Sequence, residues 1–85
     1  MLRISTNDDS DNLRLTVEGW LVGPWVEELR KEAQLAFAQA KPVAVDLEKL
    51  WFADPSGVAL LRELERHTAF VRCSTFISQQ LKEAT

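Results

Sequence analysis

The side chains in this 85-residue chain whose chemistry could reach beyond packing are few: Asp54 and Ser56 in the run Asp54-Pro-Ser-Gly57, the one histidine His67, and the one cysteine Cys73 beside Ser74. A lone carboxylate becomes a general base only with a second acid, a histidine or a metal in support. No such group flanks Asp54 in the sequence. With Pro55 after it, Asp54 reads instead as a helix N-cap: its carboxylate takes backbone N–H groups that the first turn leaves unpaired, and the proline fills the first helical position, where its missing N–H costs nothing. His67 falls at the end of the same helical pattern, where a cation suits the helix dipole. Cys73 and Ser74 have no adjacent base, and Cys73 reads as a core residue at a strand end. One histidine and one cysteine make no zinc site. Three glycines (Gly19, Gly23 and Gly57) make no phosphate-cradling or dinucleotide pattern. The polar run Thr6–Asn12 is acidic but lacks the glycine and final glutamate of a calcium loop, so it reads as a solvated turn. Neither an enzyme nor a bound cofactor or metal is expected.

The elements that position these residues follow from periodicity. Leu2-Arg-Ile4 is a short edge strand, and Leu13-Arg-Leu-Thr-Val-Glu18 alternates strictly, with Leu13, Leu15 and Val17 on one face. Gly19-Trp-Leu-Val-Gly-Pro24 breaks that alternation and leads into a helix from Pro24 to about Ala40, with Val26, Leu29, Ala33, Ala36, Phe37 and Ala40 on its apolar stripe. Lys41-Pro42 ends it. Val43-Ala-Val-Asp-Leu47 is a parallel central strand covered on both faces. A short apolar crossing then reaches Asp54 and a second helix, Pro55 to about His67, with Val58, Leu61 and Leu64 inward and Arg62, Glu63 and Arg66 outward. Ala69–Cys73 is a third strand of the same buried kind, and Ser74 or Thr75 caps a last helix carrying Phe76, Ile77 and Leu81. The expected fold is α/β, β-β-α-β-α-β-α, a mixed sheet of about four strands with helices packed on it.

Composition sets bounds. Eighty-five residues form one domain, and 46% hydrophobic with 27% charged residues is ordinary for a globular chain. A net charge of −3 without a basic cluster argues against nucleic acid. A single cysteine excludes an internal disulfide and suits a reducing compartment. With no apolar leader at the start and no membrane-length apolar run, the expected location is the cytoplasm, with no direct membrane insertion.

The pattern D-L-x-x-L-x-F-x-D-x-S-G, here Asp46-Leu47, Leu50, Phe52, Asp54, Ser56 and Gly57, preceded by a strand and followed by an apolar helix, resembles the core of a STAS domain. The earlier Leu13-x-Leu-x-Val-x-Gly19-x-Leu21 and its long amphipathic helix resemble the family's second strand and first helix at the right distance. The resemblance covers most of the chain, which stops one helix after its last strand and looks short of the family's final strand and helix.

The resemblance implies a bacterial anti-sigma-factor antagonist: a partner-switching module in transcription regulation, docking an anti-sigma factor or another GHKL-type kinase-like protein. It places Trp20, Leu21 and Gly23 beside Asp54, Pro55, Ser56 and Gly57, with Arg62 further along the helix, as the partner-binding set. In the family the residue after the aspartate is a serine or threonine whose phosphorylation breaks the complex; here it is Pro55, which has no hydroxyl. Ser56 is the nearby hydroxyl, but one residue later turns a helical side chain by ~100°, and a local hydrogen bond to backbone is its preferred role over phosphorylation. Trp20 is expected partly exposed as a binding anchor, whereas for Trp25 and Trp51 a place in the core is an equal alternative. An alternative function is an accessory subunit of a phospholipid-transport ATPase or a nucleotide- or anion-binding sensor. An unpaired N-terminal edge strand would offer a route to a homodimer.

Overall fold

The computed structural model describes residues 1–9 and 11–83. The chain runs β1 (Leu2–Asp8), β2 (Leu13–Leu21), α1 (Pro24–Phe37), β3 (Val43–Leu47), β4 (Leu50–Ala53), α2 (Pro55–Glu65), β5 (Ala69–Cys73) and α3 (Thr75–Glu83). It is an α/β fold with a mixed five-stranded sheet. β1 and β2 form an antiparallel hairpin in which Leu2 opposes Gly19 and Asp8 opposes Leu13. On the other side of β2 lie two parallel strands in succession, β3 along Leu13–Thr16 and β4 along Gly19–Leu21. β5 runs parallel to β3.

The fifth strand corrects the expected count of four. Leu50–Ala53, read as an apolar crossing, is β4: a turn at Glu48–Lys49 interrupts the course of β3, and the chain rejoins β2 beyond it. The Gly19 N–H donates to the Lys49 carbonyl at 3.0 Å, which carries the ladder across the interruption. β1 is also longer than Leu2–Ile4, because its polar second half pairs with β2 to the end of the hairpin.

Leu13, Leu15, Val17, Val45, Leu47, Leu50, Leu60 and Leu61 are among the fully enclosed side chains, joined by Leu29 of α1 and Ile77 of α3. All three helices therefore share one core on one face of the sheet. The alternate strand positions, Thr16, Glu18 and Asp46, line a polar depression on the other face with Glu48, Lys49 and Arg72. This overturns the expectation of cover on both faces for β3, whose Asp46 looks away from the core. It also overturns the buried reading of β5, an edge strand with Val71 exposed and only Phe70 and Cys73 packed against the core. Two helices end earlier than their patterns suggested. α1 stops at Phe37, three residues before Ala40 takes a positive φ of 56°, and α2 stops at Glu65 with Arg66 as C-cap. His67 lies beyond that end, its ring 5.9 Å edge-on from Phe37.

α3 also seals the free side of β4. Ser74 is its cap: the hydroxyl accepts the Ile77 N–H at 3.2 Å and donates to the Leu50 carbonyl at 2.5 Å. Further along, the Gln80 amide accepts the Ala53 N–H at 3.1 Å and donates to the Ala53 carbonyl at 2.8 Å. One side chain thus meets both backbone groups of the last β4 residue, as a neighbouring strand would. Among the described residues no helix is long and apolar enough to cross a membrane.

Candidate functional site

β4 delivers the chain to Asp54, whose extended backbone (φ −75°, ψ 175°) makes it the N-cap of α2. Its carboxylate is fully engaged. Oδ1 accepts the Gly57 N–H at 2.8 Å and the Ser56 hydroxyl at 2.9 Å, while Oδ2 accepts the Gly23 N–H at 2.9 Å from the start of α1. The Asp54 N–H donates to the Leu21 carbonyl at 3.1 Å. One residue therefore fastens the end of β2, the start of α1 and the start of α2 together. The Gly23 and Gly57 amides, then the Ser56 hydroxyl, hold the Asp54 carboxyl below the usual carboxylate range. A carboxylate stabilised by three donors is a weak base. It also fills with the chain's own charge the place where a helix start would take an anion.

Two glycines shape the site for different reasons. Val22–Trp25 is a tight turn closed by the Trp25 N–H on the Val22 carbonyl at 3.1 Å, and Gly23 holds φ 54°, ψ −130° at its first central position. That matches a type II′ turn, which wants glycine there. Gly57 has ordinary backbone, but a Cβ on it would lie 2.6 Å from the Leu21 carbonyl oxygen and 3.2 Å from the Ala53 Cβ. Its bareness lets α2 start hard against the end of β2.

Of the predicted partner-binding set, Leu21, Gly23, Pro55, Ser56 and Gly57 meet Asp54 at this corner while Arg62 lies further along α2, and the set divides by exposure. Trp20, Pro55 and Ser56 are exposed, and Asp54 and Gly23 are partly or fully accessible. Leu21 and Gly57 are buried, so they are corrected from contact residues to the scaffold beneath the rim. Arg62, expected to point outward, is half-buried and donates to the Leu81 carbonyl, tying α2 to the end of α3. It too acts as a strut.

The aromatic residues carry what the sequence reading underweighted. Trp25 and Trp51, for which a core place was an equal alternative, are both exposed. The Trp20 and Phe52 rings are 5.9 Å apart and those of Trp51 and Phe76 are 6.4 Å apart. Because Trp51 and Phe52 are consecutive in a strand, they point to opposite sides of it, and the two pairs are separate: Trp20 with Phe52 across β2 and β4, and Trp51 with Phe76 at the first turn of α3. Phe52 and Phe76 were read as motif and helix residues, not as surface. The signal available was the doubled aromatic Trp51-Phe52 in a four-residue segment, where both cannot face the same core. No protein-family model matches the chain, and no curated protein matches it.

Proposed function

We propose that this chain is a non-enzymatic protein-interaction module of the STAS type, a cytoplasmic anti-sigma-factor antagonist-like protein. It would dock an anti-sigma factor or a related GHKL-type kinase-like protein with the exposed start of α2 and the 20–24 loop. The observation that carries this reading is the Asp54 fastening. It fixes the geometry of two loops and leaves Pro55 and Ser56 exposed at the start of α2, with Trp20 exposed near the end of β2. Such an arrangement spends its one well-placed carboxylate on holding a shape, which suits recognition more than turnover.

The same turn is built without the usual switch. Pro55 stands where the family carries its phosphoacceptor, and the Ser56 hydroxyl is occupied with Asp54 at 2.9 Å. A phosphate on Ser56 would sit against that carboxylate, where two negative charges repel. The partner complex should therefore be insensitive to ATP. The test is to titrate the protein into a purified GHKL-type anti-sigma kinase by calorimetry, then repeat with ATP and follow intact mass. Saturable binding with unchanged mass is expected. Restoring a hydroxyl with Pro55→Ser should allow one phosphate to be added and the complex to weaken. Absence of binding to any such kinase, or stoichiometric phosphate on Ser56 in the unaltered chain, would sink the reading. The anion-sensor alternative gains nothing from a helix start whose Gly57 N–H is already taken by Asp54.

A further inference from the structure

β4 pairs with a single strand, β2, so its other edge has no partner in the sheet. Backbone groups on a bare strand edge are a template for another strand unless something covers them. Here the cover is α3, and it works by imitation. The Gln80 side chain is itself an amide, and it accepts from the Ala53 N–H while donating to the Ala53 carbonyl. Two such bonds to one residue are what the opposite residue supplies in an antiparallel hydrogen-bonded pair. At the start of the strand the Ser74 hydroxyl donates to the Leu50 carbonyl, as a main-chain N–H could. The edge meets peptide-like groups without meeting a strand.

The substitute is lightly anchored. α1 buries four residues and α2 five, whereas among the described residues of α3 only Ile77 is buried. The seam between α2 and α3 also carries a defect: Arg62 donates to the Leu81 carbonyl, but its Nε is buried without a partner. Leaving a buried donor of a charged group unpaired is costly, and lifting α3 gives the guanidinium access to water. We propose that the outer edge of β4 is a strand-addition site, closed by α3 until an extended peptide segment of a partner protein displaces it. The groups to be met define that occupant. It must offer a main-chain N–H and C=O to Ala53 in place of the Gln80 amide, and an apolar side chain where Ile77 sat. It runs antiparallel to Leu50–Ala53, a strand of four residues, so a short linear segment suffices. Binding of this mode draws affinity from main-chain hydrogen bonds and specificity from alternate side chains. The Asp54 bonds to Gly23 and Gly57 lie outside the exchange, so the inference does not rest on the partner reading.

The probe is a capped hexapeptide of alternating threonine and valine, and its control is the same peptide N-methylated at alternate amides, which cannot complete a ladder. Each is titrated into isotope-labelled protein while NMR follows the Ala53 amide and the Trp51 indole. Saturable shifts at both are expected from the first peptide and none from the second. Because α3 competes for the edge, apparent affinity scales with the fraction of molecules in which the edge is open. Gln80→Ala removes the imitation and should tighten binding about tenfold. Gln80→Glu keeps the acceptor, loses the donor and should also tighten it, which guards against a folding defect peculiar to one variant; circular dichroism confirms that both are folded. No saturable shift in the parent or either variant overturns the proposal. So does equal binding of the N-methylated peptide, or variants that bind no more tightly than the parent. Self-association of Gln80→Ala in sedimentation, without peptide shifts, assigns the edge to a second copy and overturns it too.

Discussion

Replacing Gly57 by alanine sets two effects of known sign against each other. In the first turn of α2 the substitution gains helix propensity, at most ~1 kcal/mol, since the glycine has ordinary backbone there. Against this, the new Cβ would stand 2.6 Å from the Leu21 carbonyl oxygen and 3.1 Å from the Leu21 Cγ. The carbonyl cannot simply retreat. It belongs to the terminal residue of β2, whose side chain is fully buried, and it accepts the Asp54 N–H at 3.1 Å. Relief must come from lifting α2 or distorting the Asp54 turn, and overpacking of this kind costs ~1–3 kcal/mol. The steric term wins, leaving a net loss of roughly 1–2 kcal/mol. At ~4–8 °C per kcal/mol for a domain of this size, Tm should fall by about 5–15 °C. Thermal and urea unfolding followed by circular dichroism measure both numbers, with the exposed Glu65→Ala in the same helix as a control expected to stay within ~0.5 kcal/mol. A Gly57→Ala protein as stable as the parent, or more so, would refute the claim that α2 is seated on the β2 carbonyl.

Two more outcomes follow from the same corner. Gly23→Ala meets no atom within 4 Å, yet it forces alanine to φ 54°, so it should cost ~1–3 kcal/mol by strain alone, read as a lower urea midpoint at unchanged m-value. Asp54 has its carboxyl pKa lowered from 3.8 by the Gly23 and Gly57 amides and the Ser56 hydroxyl, so its contribution is full above the unfolded value and is lost as pH falls through the folded one. The stability gap between the parent and Asp54→Asn should be flat from neutral pH down to about pH 5 and close below about pH 4; a gap that persists unchanged into strong acid would contradict the hydrogen-bonded carboxylate.

What the sequence made legible was whatever a local rule governs. Asp54-Pro-Ser-Gly57 announces a capped helix start because aspartate, proline and a small residue each suit one position of the first turn, and the structure places Asp54 as N-cap and Pro55 as the first helical residue. The stripes of α1 and α2 and the alternation of β2 follow from burying one face. β4 was hidden because its pattern, buried ends around two exposed aromatics, has neither a strand's alternation nor a helix's stripe. Its existence depends on β2 continuing past the end of β3, which is a fact of tertiary pairing. The same limit applies to the tryptophans. Size argues for burial, but the aliphatic residues Leu21, Leu29, Leu50 and Leu61 already fill the interior, so Trp51 and Trp25 are left outside. Leu21 and Arg62 were misjudged for a related reason: adjacency to a site in sequence does not say which side of the backbone meets solvent.

The Gln80 amide gives the last residue of β4 a protection that depends on a single side chain. A paired strand opens only when the sheet does, whereas this seal opens whenever α3 lifts from its place. The Ala53 amide proton should therefore exchange with solvent at the rate of α3 detachment, well ahead of amides inside the β2–β3 ladder. Ala53 precedes Asp54 directly, so each such opening exposes the backbone next to the Asp54 turn, while the turn's own bonds to Leu21, Gly23 and Gly57 stay in place. The exchange of one amide thereby reports how often α3 lifts from the edge of β4, without unfolding the domain.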